Sequence, residues 1–391
     1  MSSALDRNAE RFAHAQLRVS LALGWCAVKL LIAFAPLLKK KKSSKDFLFF
    51  PYTHKDNIGT RSRFQEYFPL LEKDGLVYDV HYPSTREEYM RLYHSDLQSR
   101  IEEFRFYSRL FWQRLTWILK APDYKAVFFQ RTLFPEYYDQ RNALLEQLLR
   151  AYHDNVIVDF YDADYARNEP FYKNVIRRCD KVTVVNKPLS NYFGQHHPRV
   201  LFNNLSVDAT AHQTKNDFVL HQPVRIFWTG SVANAQAHLV PLMPVLEKLN
   251  ATQPLKLVLV SINNAGLTQP FVEHHTYESH TFNKLMRESD IAIYAAQDDD
   301  VFTRGKVAYK HLEYAATKIP MVASPFGLSE HFIPGEDVLV AHSLDEWLAR
   351  LQFLINDQTL RERLAHSAYQ KLLQHHDTKA TYQNFLSFLM A

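Results

Sequence analysis

Short apolar runs alternate with helix-forming stretches along most of the chain, and the alternation breaks off once and begins again. The first series of runs is 46–52, 77–82, 126–130, 156–160, 180–186 and 199–202. The second is 224–228, 255–261, 290–294 and 321–324. Runs this short and this apolar are strands buried on both faces, which is the condition of strands in parallel sheets. Parallel neighbours need a crossover, and the stretches between the runs carry helical periodicity. The pattern predicts two doubly wound α/β domains in succession, at 47–205 and 206–378. The polar segment 206–222 reads as a hinge, and a ligand cleft is expected between the domains. A last helix, 379–391, carries Tyr382, Phe385, Phe388 and Leu389 at helical spacing, a face expected to pack back on the body.

Composition narrows the function classes. The 391 residues are 47% hydrophobic and 14% aromatic, enough for large cores, and the net charge of +4 is too small and too scattered to point to nucleic acid. Cys26 and Cys179 lie far apart and fit a reducing compartment rather than a disulfide framework. Of the 19 histidines, six form the adjacent pairs His196-His197, His274-His275 and His375-His376. Neighbours on a helix or strand point apart, so no metal site is expected.

Segment 1–46 stands outside the alternation. Residues 19–38 are almost wholly apolar, broken by Lys29 and Pro36, and are followed by Lys39 to Lys42. Twenty helical residues span about 30 Å, enough to cross a bilayer. A second reading is a helix lying in the membrane plane. Arg18 and Lys29 fall about 20° apart on a helical wheel, with Arg11 near the same face. In both readings the lysines face the cytoplasm. A third reading is a helix packed on the body of the protein.

Within the first series, the polar loop after the first strand carries Arg61 and Arg63. Such loops open at the carboxyl end of a parallel sheet, where ligands bind, so both are candidates for an anionic substrate. Arg131 follows the third strand directly. Asp159, Asp162 and Asp164 gather at the end of the fourth, and carboxylates so close raise one another's pKa or need a cation. Asp162 and Asp164 are therefore candidates for a base or a hydroxyl-binding group, with a helix N-cap as the alternative. The helical, aromatic-rich stretch 86–120 reads as core packing or as an acceptor surface.

In the second series, Gly230-Ser231 forms a strand-to-helix turn with little bulk, where a backbone can approach a phosphate. Residues 303–324 read as loop, helix and buried strand. Arg304 and Gly305 stand at the expected helix start, and Lys306, Lys310 and Glu313 fall at i, i+4 and i+7 on one face. An exposed, salt-bridged surface is the alternative for that spacing. A tight turn at Gly327 follows the last strand.

Arg304-Gly305-Lys306-x-x-Tyr309-Lys310-x-x-Glu313-Tyr314, followed by Pro320-Met321-Val322-Ala323-Ser324-Pro325-x-Gly327, resembles the nucleotide-sugar core of GT-B glycosyltransferases, group 1, family-4-like branch. The resemblance extends loosely over about 47–390. It implies a transferase that moves a sugar from a UDP- or GDP-type donor to a glycolipid or polysaccharide acceptor, with retention, without a metal or other cofactor, at the cytoplasmic face of a membrane. It implies that Glu313 binds the ribose, that Arg304, Lys306 and Lys310 neutralise the leaving diphosphate, and that Gly230 and Ser231 lie against the phosphates. Asp298, Asp299, Asp300 and Glu330 are candidates for contacting the transferred sugar. On the acceptor side it points to Arg61, Arg63, Arg131 and Asp164, with Asp162 catalytic. The sequence departs from the branch in two places. Gly305 stands where an acidic residue is common, and no cation follows Gly230 until Lys248. The alternative these departures raise is a non-catalytic scaffold of the same shape that binds a partner enzyme at the membrane.

Overall fold

The computed structural model describes residues 4–38, 44–92, 97–139, 142–296 and 300–390. The chain divides into two compact units, Met1–Asn203 with Tyr382–Ala391, and Asn204–Thr381. The N-terminal helix, which the sequence sets apart as segment 1–46, belongs to the first unit, and so does the end of the C-terminal helix from Tyr382 on.

The first unit is built on β1 (Lys45–Phe50), β2 (Tyr78–Val80), β3 (Tyr124–Gln130), β4 (Val156–Phe160), β5 (Lys181–Val184) and β6 (Val200–Phe202). They form one sheet in the order β2-β1-β3-β4-β5-β6, parallel throughout. The second unit holds β7 (Val224–Thr229), β8 (Leu255–Ser261), β9 (Val272–Thr276), β10 (Ile291–Tyr294), β11 (Met321–Ala323) and β12 (Leu339–Val340), in the order β12-β11-β10-β7-β8-β9, again parallel. Strand order reverses beside β1 in one sheet and beside β7 in the other. Those switch points, at the strands' carboxyl ends, are where open α/β sheets hold ligands.

Central strands are apolar because helices cover both faces. In the first unit Phe47, Phe49 and Phe128 lie wholly inside and pack with Phe64 and Phe385. In the second, Ile226, Trp228, Leu257, Leu259 and Ile293 do the same with Leu239, Leu246 and Leu351. The expected face of the C-terminal helix, Thr378–Met390, is buried at all four positions. Phe385 stacks on Tyr67 at 4.3 Å, and the Tyr382 hydroxyl donates to Asp74 at 2.6 Å.

The N-terminal helix, Ala4–Leu38, runs beside the helix Leu97–Ile118. Glu10 pairs with Arg100 at 2.8 Å, Ser20 bonds Ser108 at 2.7 Å, and Trp25 meets Phe111 edge-on at 4.5 Å. Gly24 is required at this crossing, because a Cβ there would stand 2.2 Å from the Phe111 ring. The lysine cluster Lys39 to Lys42 lies outside the described residues.

Candidate functional site

The nucleotide-binding expectations fall on the second unit. The helix Tyr309–Thr317 starts later than the spacing of charges suggested, with Ala308 at its N-cap. Lys306 therefore precedes the helix, and only Lys310 and Glu313 share a helical face. Gly305 is likewise not at this helix's start. It is the buried C-cap of a separate short turn, Val301–Arg304, and its N–H is already bonded to the Val301 carbonyl at 3.0 Å. The reason is Asp300, whose carboxylate caps that turn by accepting from the Thr303 N–H at 2.6 Å. Asp300 thus caps this turn through Oδ1, while its side chain stays exposed. Asp298 and Asp299 lie outside the described residues.

What the structure does bring together is Lys310 and the end of β7. The Lys310 ammonium sits 4.5 Å from the centre of the Trp228 ring, the arrangement of a cation over an aromatic face. A Cβ at position 230 would lie 2.6 Å from Lys310 Nζ and 2.6 Å from the Trp228 ring, so glycine is needed for the ammonium to reach the strand tip. Ser231 opens the following helical segment as its N-cap, accepting from the Asn234 N–H at 3.2 Å. Its hydroxyl oxygen is therefore engaged locally, though the hydroxyl proton can still be donated. Burial pulls the Lys310 ammonium down to about 8; Glu313 opposes the shift and Lys306 adds to it. An anion placed beside this ammonium would favour its charged form against the cost of burial.

Gly327 has φ +74°, and a Cβ there would meet the Tyr294 hydroxyl at 2.5 Å. Its carbonyl accepts from the Ala308 N–H at 2.7 Å, so this turn fixes the start of the Lys310 helix. Gly327→Ala is expected to cost about 1 kcal/mol or more in a urea melt and to weaken nucleotide binding. Glu330 and Arg304 are exposed, whereas Glu313 and Lys306 are half-buried. A cavity of about 320 Å³ opens past the ends of β10, β11 and β12, lined by Ala296, Ser324, Phe326, His342 and Trp347.

The acceptor-side expectations fall on the first unit and divide. Arg131 and the two aspartates converge. Arg131 holds φ +58°, a conformation a non-glycine residue rarely adopts. It lays its guanidinium between the Tyr52 and Tyr161 rings, at 4.9 and 4.4 Å, and pairs with both Asp162 and Asp164. Neither aspartate caps the following turn, whose N-cap is Ala163. Burial pushes the Asp164 carboxyl above its usual range, against the pull of Arg131 and Arg167. Arg61 is exposed and bonds Glu66 at 2.9 Å. Arg63 is corrected: it is fully buried, paired with Asp159, and presents nothing to a substrate.

Beside Tyr52 lies a cavity of about 270 Å³ that the sequence did not reveal. It sits past the ends of β1, β2 and β3, at Thr53, Ser84 and Thr132, and is walled by Glu103, Phe106, Tyr107, Leu110 and Arg114 of the Leu97–Ile118 helix. Arg114 is buried at its base, where its guanidinium donates to the carbonyls of Pro51 (2.6 Å) and His81 (2.8 Å). Buried Glu146 holds the third loop, accepting from Thr132 Oγ1 at 2.8 Å and the Leu133 N–H at 2.7 Å. Stretch 86–120 is therefore both core and cavity wall, a double role that helical periodicity cannot separate.

Two parallel six-stranded sheets, each covered by helices, give the chain the GT-B fold. Residues 246–387 match the family described as glycosyl transferase-like. No curated protein is significantly similar in sequence. Among solved structures, HepE of Anabaena, crystallised with UDP and glucose, aligns with TM-score 0.62 and 12% identity over 89% of this chain and 100% of its own. A glycosyltransferase from Rickettsia africae aligns at TM-score 0.60 and 12% identity, over 88% and 98%. Sucrose-phosphate synthase from Thermosynechococcus elongatus aligns at 0.58 and 12%, over 88% and 98%.

Proposed function

We propose that this chain is a glycosyltransferase that moves a sugar from a nucleoside diphosphate, of the UDP type or failing that GDP, to a glycolipid or envelope polysaccharide acceptor at the cytoplasmic membrane face. The observation that carries the reading is the Lys310 ammonium held over Trp228 against Gly230, at the switch point of the unit whose residues from 246 onward fall within the transferase-like match. Departure of a nucleoside diphosphate builds negative charge on its phosphate oxygens. A fixed, partly desolvated ammonium placed there lowers the barrier without needing a metal. Lys306 and Arg304 supplement it, Glu313 takes the ribose hydroxyls, and Glu330 faces the sugar. HepE, with UDP in its crystals, favours the uridine donor. The aromatic cavity of the first unit suits an acceptor with apolar and hydroxyl surfaces, with Arg131, Asp162 and Asp164 beside it. Retention of configuration belongs to this proposal as the family's habit.

The test is a thermal shift with UDP and GDP. Binding at about 100 times Kd adds about 2.7 kcal/mol of stability, and Glu313→Ala should remove most of it. If neither nucleotide shifts the melt, the donor reading falls. Gly305, in place of an acidic residue, favours the scaffold alternative. Slow hydrolysis of any nucleotide sugar by the purified chain would exclude that alternative.

A further inference from the structure

The exposed side of the N-terminal helix has an order that a simple apolar helix lacks. Phe12, Val19, Leu23, Leu30 and Phe34 are each more than half exposed. At 100° per residue they fall within an arc of about 60°. Arg11, Arg18 and Lys29, also exposed, form a second row about 100° to one side. Small residues, Ala15, Ala22, Cys26 and Ala33, fill the space between the rows. The opposite arc is taken by the protein: Leu17, Leu21, Gly24 and Val28 are buried, and Glu10 and Ser20 reach polar partners on the Leu97–Ile118 helix.

A helix that crosses a bilayer alone meets lipid on every side. This one packs along its length on its own folded unit through Leu17, Leu21, Gly24 and Val28, and a crossing by residues 19–38 would either strip Ser20 from Ser108, leaving a hydroxyl unpaired in hydrocarbon at a cost of several kcal/mol, or draw the folded unit in with it. From these positions we infer that the N-terminal helix lies flat between its own unit and an anionic lipid surface. The row from Phe12 to Phe34 enters the acyl boundary, and Arg11, Arg18 and Lys29 sit among the headgroup phosphates. Charge complementarity selects this occupant: an apolar stripe flanked on one side by cations fits a lipid interface with negative headgroups. The inference rests on the membrane placement proposed above and fixes its mode. It also gives the Leu97–Ile118 helix two duties, since one side holds the membrane-facing helix and the other walls the aromatic cavity.

The experiment is flotation of the full chain with vesicles of phosphatidylcholine alone and with phosphatidylglycerol added, at low and high salt, with the UDP thermal shift measured on the same preparations. Binding should require the anionic lipid, weaken with salt and be released by alkaline carbonate. Each cation contributes about fivefold near an anionic surface, so the triple variant Arg11→Gln, Arg18→Gln, Lys29→Gln should bind about a hundredfold more weakly. Leu23→Ser with Leu30→Ser should abolish binding while the UDP shift persists, showing an intact fold. Carbonate-resistant binding indifferent to lipid charge would overturn the flat placement in favour of a span. Absence of binding to either vesicle would overturn membrane placement altogether. Loss of the UDP shift alone would strike the donor reading and leave this one standing.

Discussion

Lys310→Met is expected to lower turnover by about a hundred- to a thousandfold, the usual loss when one preorganised group facing developing charge is removed. The variant should fold as well as the parent or better. The ammonium is held half-buried beside an indole ring, and burial pulls it down to about 8, so the folded state bears a cost for keeping it charged. A neutral side chain of similar length removes that cost and keeps the packing on Trp228. A structural lysine would behave the other way, losing stability and activity together. Measuring kcat and the melting temperature of the same preparation separates the two cases. Gly230→Ala should give part of the same loss, because the added Cβ occupies the space beside Nζ. An unchanged kcat for Lys310→Met would remove the catalytic core of the proposed function.

The same lysine sets a pH dependence whose sign is fixed. Its folded value of about 8 lies below the ordinary 10.5, so between those values the unfolded chain holds a proton that the folded chain has released. Stability attributable to this group therefore rises as pH climbs from about 8 towards 10.5, and its destabilising effect is fully present below 8. Lys310→Met should lack that rise. Catalysis runs oppositely: kcat/KM should fall above about pH 8 as the free enzyme loses its cation. A bound diphosphate favours the charged form, so nucleotide binding near pH 8.5 should take up protons, about one at most. Calorimetry in buffers of different ionisation enthalpy reads that uptake directly.

The sheets were legible because their central strands are apolar on both faces. The two strands that escaped, β9 and β12, lie at opposite edges of the second sheet. Val272–Thr276 contains Glu273, His274 and His275, half-exposed, and an edge does not demand apolar residues. The charge spacing at 306, 310 and 313 pictured one helix face, of which the structure keeps only Lys310 and Glu313. Helix periodicity cannot register that Asp300 caps a separate turn and moves the main helix start to Tyr309. The Lys310–Trp228 contact joins a helix to a strand tip over 80 positions apart in the sequence, and only the parallel crossover supplies it. The aromatic cavity was hidden for the same reason: its walls come from three loops and a helix whose other face is ordinary packing.

Arg63 is the case in which burial overturns a functional reading, and its replacement carries the largest expected effect on stability. Two polar loop arginines, Arg61 and Arg63, look equivalent in sequence. The structure exposes the first and encloses the second completely, against a carboxylate 96 positions away. Arg63 Nε donates to Asp159 Oδ2 at 2.9 Å, and Nη2 to Oδ1 at 2.5 Å. Nη1 donates to the Asn203 carbonyl, and Thr183 Oγ1 donates to Asp159 Oδ1 at 2.7 Å. The pair thus ties the loop after β1 to the ends of β4, β5 and β6. An exposed pair such as Arg61–Glu66 contributes up to about 1 kcal/mol, and Arg61→Ala should barely move a melt. Arg63→Ala leaves the fully buried Asp159 carboxylate without its partner, at a cost of about 3–5 kcal/mol. The double replacement Arg63→Met with Asp159→Leu removes the stranded charge together with its partner and should recover much of that loss. Chemical denaturation of the three variants is decisive. A cost below about 1 kcal/mol for Arg63→Ala, coupled to weaker acceptor binding, would return Arg63 to the substrate; the full cost, with no rescue by Lys at that position, assigns it to the fold, because lysine cannot reproduce the two-pronged contact.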